Sequence, residues 1–302
     1  MGLVNNTIVY GMHIIPKPIV YLFAKRYIAG AQLEDSIEVV KRLNKRNVMA
    51  TMDVLGESVK DERKTRVALE EYKKVLDAID KEMLNSNISI KPTHFGLSIS
   101  YELCYENVRE LVEYANRLGN FVRIDIEDSP QIDGTFRLYR DLRKDFKNVG
   151  AAIQAYIRRT VGDLKMLEEY KANVRICKGL TYPEPRTVAY QTKRVVDSIF
   201  PYLVERLMNA GCYVAVATHD ELMIARALMI INKLGIPSDR FEFQMLLGVD
   251  SELRDIIVNM GYRMRIYVPF GKEWHAYSIR RFRKNPKMVG YISSSLFTRY
   301  DK

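Results

Sequence analysis

The sequence predicts an α/β fold, a (β/α)8 TIM-type barrel with a helical extension before it, on three observations. From residue 48 onward, short β-branched apolar runs alternate with longer segments of helical period, the sequence form of repeated βα units. Eight such runs can be counted. The alternation occupies the roughly 250 residues that one closed barrel takes. An open doubly wound sheet is the weaker alternative, because the chain contains neither a G-x-G turn nor a Walker-type phosphate loop.

Residues 1–47 read as a helical lead-in packed on the barrel, since Ile37, Val40 and Leu43 fall on one face of a charged segment. Residues 48–302 read as the barrel, a single domain without a long Pro/Gly/Ser linker. Strands are expected at 48–53, 88–91, 121–126, 149–154, 174–178, 213–218, 241–245 and 265–268. Within 60–84, Val67, Leu69, Tyr72, Val75, Leu76, Ile79 and Met83 recur at spacings near three and four among Lys and Glu, which is an amphipathic helix. Helices are expected in the same way at 102–117, 161–170, 186–209, 220–233 and 251–260.

Composition narrows the function classes. Of 302 residues, 47% are hydrophobic and 28% charged, and the mean hydropathy is -0.19, which excludes wholesale disorder and collagen-like repeats. Cys104, Cys177 and Cys212 form no C-x-x-C pair, so neither a disulfide framework nor a zinc finger is expected, and the chain reads as cytoplasmic. The net charge of +10 favours an anionic partner without choosing among nucleic acid, phosphate ligands and a membrane surface. The apolar stretch 14–23 is broken by Pro16, Lys17 and Pro18, short of the ~18 residues of a membrane span. The opening residues lack the basic region of a secretory signal, so export is not expected, and any membrane contact would be peripheral.

Chemistry in such a barrel sits where strands end, since the loops there open on a common mouth. The first strand ends at Asp53, with Glu57 just beyond, and the second at Lys91. Asp125 and Glu127 mark the third and Gln154 the fourth; Arg175 and Lys178 belong to the fifth. Thr218, His219 and Asp220 end the sixth, Gln244 lies in the seventh and Tyr267 in the eighth. A purely structural barrel has no use for so many costly polar groups at one end. The cations imply an anionic ligand, and arginine grips carboxylates through its planar fork. Arg283, Lys284 and Lys287 read instead as charges answering a helix C-terminus. His13, His94, His219 and His275 are scattered, without metal-ligand spacing, so no metal is expected. Cys177 and Cys212 read as inert thiols in apolar strands.

Nine strings at these positions resemble those of the proline dehydrogenase family, in the family's order. They are DVLGE (53–57), ISIK (88–91), IDIE (124–127), IQAY (153–156), VRICKG (174–179), ATHD (217–220), EFQML (242–246), RIYVPFG (265–271) and YSIRR (277–281). The resemblance implies a distorted barrel with FAD across its mouth and a final helix covering the site. It implies that Lys91, Arg280 and Arg281 hold the carboxylate of L-proline, that Glu57 pairs with Arg280, and that Asp125, Tyr267, Leu246 and Tyr277 shape the substrate pocket. Gln154 and Arg175 would contact the isoalloxazine; Lys178, Gly179, Thr218 and His219 would hold the rest of the FAD, with Lys193 at the pyrophosphate. The implied reaction is oxidation of L-proline to Δ1-pyrroline-5-carboxylate by hydride transfer from C5 to the flavin N5, with a quinone-type acceptor at the inner face of the membrane and no nucleic acid. Two positions depart from the family pattern: Leu180-Thr181-Tyr182 follows Gly179 where the family has Ala-Tyr, and Lys284 stands where a glutamate is common. Two other readings stay open. One is a Schiff-base lyase using Lys91 or Lys178; the other, resting on charge alone, is a nucleic-acid binder.

Overall fold

The computed structural model describes residues 20–21, 24–179 and 184–284, the last five as backbone only. Eight parallel strands pair in chain order and close on themselves. They are β1 (Met49–Val54), β2 (Ser86–Ile90), β3 (Val122–Ile124), β4 (Val149–Gln154), β5 (Asn173–Cys177), β6 (Tyr213–Ala217), β7 (Phe241–Leu246) and β8 (Met264–Phe270). Closure runs the full length of β1, from Met49 opposite Arg265 to Val54 opposite Phe270.

From residue 33 on, the described α-helices are α1 (Leu33–Asn44), α2 (Glu62–Lys81), α3 (Tyr101–Arg117), α4 (Ile132–Arg143), α5 (Thr160–Glu169), α6 (Lys193–Asn209), α7 (Glu221–Leu234), α8 (Ser251–Asn259) and α9 (Trp274–Lys284). Side-chain caps start several of them: Asp61, Ser100, Asp220 and Asp250 accept from amides of the first turns of α2, α3, α7 and α8. Each removes an orphan donor worth about 1 kcal/mol. In α1, Val39, Val40 and Leu43 are buried in the same core as the barrel, while Ile37 is half-buried. That helix packs on β1 and β8. Before it, the Ala29 amide bonds to the Pro269 carbonyl at 2.9 Å, and the lead-in is thereby tied to the end of β8.

Four expectations are corrected. Helix α2 stops at Lys81; Met83 lies beyond it in a turn with φ 49° and is 90% exposed, and Val67 is 57% exposed, so neither belongs to the core. Helix α4 was not anticipated. Helix α6 begins at Lys193, because Pro185 starts a turn that accepts from Val188 and Ala189 and Ala189 then bridges to Ile157. Strand β3 ends at Ile124, although the next amide, of Asp125, still bonds to the Ile90 carbonyl.

Outward-facing residues such as Met52, Ile88, Ile124, Ile153, Ile176 and Val216 are fully buried against the helices, each contributing about 1.5–3 kcal/mol. The interior differs from the branched apolar layers usual in this architecture. Arg123 is fully buried and donates to the carbonyls of Ala151 (2.9 Å) and Asn173 (2.6 Å) and to the Asn173 side chain. Burial, and then the charges of Arg175 and Arg265, push it down to about 9. Gly150 makes room: a Cβ there would lie 2.7 Å from the guanidinium. On the opposite side Arg265 grips Glu242 at 2.8 and 3.1 Å. Burial opposes the Glu242 charge, but Arg265 and further donors hold the carboxyl down to about 2.

Candidate active site

The strand ends on the carboxyl side converge on a buried ionic network. Lys91, just past β2, places its ammonium 2.9 and 3.0 Å from the two oxygens of Asp53 in β1. Tyr72 of α2 also donates to Asp53, at 3.1 Å. Burial opposes the charge of Lys91, yet Asp53, and then Asp125, hold its pKa above the usual lysine value. Tyr267 of β8 lies 3.5 Å from the Lys91 ammonium and donates to Asp125 at 2.8 Å. Asp125 also accepts from Ser89 (2.7 Å) and from the guanidinium of Arg175 (2.5 Å). Arg175 lies 5.2 Å from the Tyr267 ring centroid. Its Nε donates to Gln244 at 2.6 Å, and Gln244 donates in turn to Glu242 at 2.5 Å. One chain of charge-assisted bonds therefore joins the mouth to the barrel floor.

A second cluster occupies the ends of β5 and β6. Lys178 sits 2.5 Å from both Asp197 and Asp220, and the exposed Lys193 pairs with the same two aspartates. Asp220 receives a further bond from Leu222 as the cap of α7, and its own amide donates to Thr218 at 3.1 Å. His219 Nε2 accepts from the Leu246 amide at 2.9 Å, which puts the proton of a neutral ring on Nδ1 and links β6 to β7. At the end of β4 the buried Gln154 Oε1 has no partner. Gly179 adopts φ +92°, and a Cβ there would fall 2.0 Å from the Tyr156 ring, so no larger residue fits without displacing that ring.

The structure thus brings Lys91, Asp125, Tyr267 and Arg175 into one network and gathers Lys178, Lys193 and Thr218 around Asp220, with His219 next to it on the Leu246 amide. Leu246 is half-buried at the end of β7. Tyr277 on α9 packs, half-buried, on the cluster of Ala24, Ile28 and Leu55. Glu57 is half-buried just beyond β1. Arg280 and Arg281 stand on α9, but their side chains, that of Lys284, and residues 180–183 lie outside the described residues. Asp53, Ser89 and Gln244 are partners that strand-end reading left without roles. Their signal was present as DVLGE, ISIK and EFQML, but pairing across 36 or more residues is invisible to spacing. Cys177 is pushed up to about 11, chiefly by burial, which suits an inert thiol. The Schiff-base alternative needs a lysine with a lowered pKa; Lys91 is shifted the other way and Lys178 is held by two carboxylates.

Comparison with known proteins agrees with this geometry. The family model described as proline dehydrogenase matches residues 36–293. Proline dehydrogenase 1 of Bacillus subtilis (strain 168) is 37% identical over 271 residues, covering 90% of this chain and 89% of that one. The proline dehydrogenase of Deinococcus radiodurans is 33% identical over 274 residues, covering 89% of this chain and 88% of its own. Among solved structures, proline utilization A from Bdellovibrio bacteriovorus, inactivated by N-propargylglycine, superposes with a TM-score of 0.81 at 24% identity. That match covers 90% of this chain and 34% of the longer protein, and it is a likeness of fold.

Proposed function

Because this chain belongs to the proline dehydrogenase family and oxidises proline to Δ1-pyrroline-5-carboxylate, we propose that the mouth of its barrel holds FAD beside the Lys91–Asp125–Arg175 network and that proline binds over it. The family is generally flavin-dependent. The observation that carries the assignment is the pairing of Arg175, a buried cation held on Asp125, with the buried and unpartnered Gln154 Oε1 on the adjacent strand. A group offering an N–H donor and developing negative charge on reduction fits both, and an isoalloxazine does so. A bound flavin supplies the hydride acceptor, N5, for the proline C5 hydrogen.

The residues of the chain do the rest. Arg175 meets negative charge that develops at its edge of the site. Lys178, Gly179, Thr218 and His219 hold the remainder of the cofactor, with Lys193 at its pyrophosphate. Lys91 and Arg175 are each matched by an aspartate, so these pairs bring little net charge to a second anion. Arg280 and Arg281 therefore supply the main attraction for the proline carboxylate, with Lys91 as a third contact. Asp125, Tyr267, Leu246 and Tyr277 orient the ring so that C5 stands ~3–3.5 Å from its acceptor. Glu57 pairs with Arg280 and shuts water out of the mouth.

No helix among the described residues is long and apolar enough to cross a membrane. We propose a cytoplasmic protein that meets a quinone-type acceptor at the membrane surface, a reading that the net charge of +10 supports. The test is one spectrum: the purified protein is yellow, and L-proline bleaches it in the absence of oxygen. A colourless protein that takes up no added FAD overturns the assignment.

A further inference from the structure

We propose that Glu127 is a positioning residue for this reaction: acting through Thr93, its carboxylate fixes the loop that carries Glu57. The inference rests on the reading of Glu57 as part of the closure over proline.

Three consecutive strand-to-helix connections are laced together here. Glu127, in the connection just past β3, is 4% exposed, and Thr93, in the 3-10 turn Pro92–Phe95 after β2, is 2% exposed. The Thr93 amide donates to Glu127 Oε1 at 2.9 Å and its hydroxyl to Oε2 at 2.5 Å. The same hydroxyl accepts from the Ser58 amide at 2.8 Å, and the Thr93 carbonyl accepts from Val59 at 3.1 Å. Gly56 crosses the neighbouring His94 so closely that a Cβ would lie 2.2 Å from Nε2. Residues on both sides of Glu57 are therefore seated on one turn, and Glu127 seats the turn.

The direction of these bonds requires an ionised Glu127. A carboxylate is acceptor-only, so it orients the Thr93 hydroxyl proton toward itself and leaves a lone pair of the hydroxyl for Ser58. A protonated Oε2 offers a second donor to that hydroxyl, and the Thr93 proton loses its acceptor. The charged groups that bear on Glu127 are Lys91 beyond β2 and Glu57 from the loop after β1, with Asp125 and Asp128 beside it in the connection after β3; the Cys104 thiol of α3 also feels its charge, and His94 follows Thr93 in the turn. Burial, followed by the charge of Lys91, holds His94 down to about 4, and burial, followed by Glu127 itself, raises Cys104, so both are neutral near pH 7. Burial outweighs the two Thr93 bonds and Lys91, and pushes Glu127 up to about 7. The loop is then held more firmly as pH rises through 7.

Amide hydrogen exchange of the flavin-loaded protein, corrected for the intrinsic pH dependence of exchange, reads this link directly. Exchanging a neutral for a charge-assisted bond should raise protection of Ser58 about fivefold between pH 6 and pH 8. Glu127→Gln should keep the lower protection at both pH values, and Thr93→Ser should retain the wild-type pattern. Protection of Ser58 that is independent of pH in the wild type, or still pH-dependent in Glu127→Gln, overturns the link. The limiting rate of anaerobic flavin reduction by proline, measured on the same samples, should fall at pH 8 in Glu127→Gln toward the wild-type value at pH 6. Exchange that responds to Glu127 with an unchanged reduction rate removes the closure role of Glu57, and the positioning role with it, while leaving the lacing of the loops intact.

Discussion

Replacing Lys91 by methionine should cost the protein much of its stability, in a way that depends on pH and that a second substitution repairs. The variant leaves the fully buried Asp53 carboxylate without its ammonium partner at 2.9 Å and still near Asp125. Stranding one member of a buried pair costs about 3–5 kcal/mol, about a fifth or more of the ~5–15 kcal/mol that holds a typical domain together. Burial already raises the Asp53 pKa and Lys91 opposes that rise, so the variant raises it further. With the folded pKa above the unfolded value of ~3.9, the folded state binds the extra proton between the two. Stability then falls as pH climbs from ~4 to the folded pKa, by ~1.4 kcal/mol per unit of separation, and levels off above it. Lys91 itself is raised, so what it contributes in the wild type is present below the unfolded lysine pKa of ~10.4 and lost only as pH rises through the higher folded value. Asp53→Asn in the Lys91→Met background removes the stranded charge and keeps an acceptor for Tyr72. Urea unfolding followed by circular dichroism at pH 5, 6.5 and 8 checks all three proteins. Equal stability of Lys91→Met and wild type at pH 8, or no recovery in the double variant, refutes the pairing argument. The refolded double variant then isolates substrate binding: it should retain flavin while its KM for proline rises, and an unchanged KM takes Lys91 out of the carboxylate site.

Two further expectations concern the cover and the cradle. If Glu57 acts through Arg280, Glu57→Ala combined with Arg280→Met should slow flavin reduction little more than the worse single change; rate losses that multiply, measured by anaerobic stopped flow, would separate the two residues. Gly179→Ala forces a side chain into a left-handed backbone conformation against the Tyr156 ring, a strain of about 1–3 kcal/mol, and should weaken flavin retention about tenfold or more, which flavin titration of the apoprotein reads. Wild-type retention would show that the segment moves aside at no cost.

The strands were legible because each is a short run, β-branched in most cases and aromatic in FEFQML, between longer helical segments, and that contrast survives without tertiary information. Helix α4 was not, since IDGTFRLYRDLR opens on Asp-Gly like a turn and alternates arginines with its apolar residues. Gly134 is there for packing: a Cβ would meet Leu97 at 2.9 Å. The polar character of the mouth was readable from residue types at strand ends, and the family strings ordered it. Which groups neutralise one another was not readable. Asp53 and Lys91, or Asp125 and Arg175, become partners through strand order and register, and no local pattern distinguishes an aspartate that faces water from one that faces a lysine of the next strand. The exposed Val67 and Met83 show the converse error, in which apolar spacing runs past the face that is buried.

The ionic filling of the barrel interior also limits how the chain can be divided. Arg123 and Asp125 from the β3 segment find their partners on β5, through Asn173 and Arg175, while Arg175 reaches on to Gln244 of β7. Glu242 of β7 is answered by Arg265 of β8, and Arg265 donates back to the carbonyl of Ala50 in β1 at 2.7 Å. A fragment ending after β4 would carry Arg123 and Asp125 into its interior with only the Ala151 carbonyl and the Ser89 hydroxyl left to them, and the complementary fragment would hold Arg175 without its aspartate. Barrels filled with branched aliphatic layers can be split into halves that each hide part of an oily face; here each half would have to bury bare charge. Circular permutation, which moves the chain ends and keeps all eight strands, respects these pairings, whereas expression of this barrel as two separately folding halves does not.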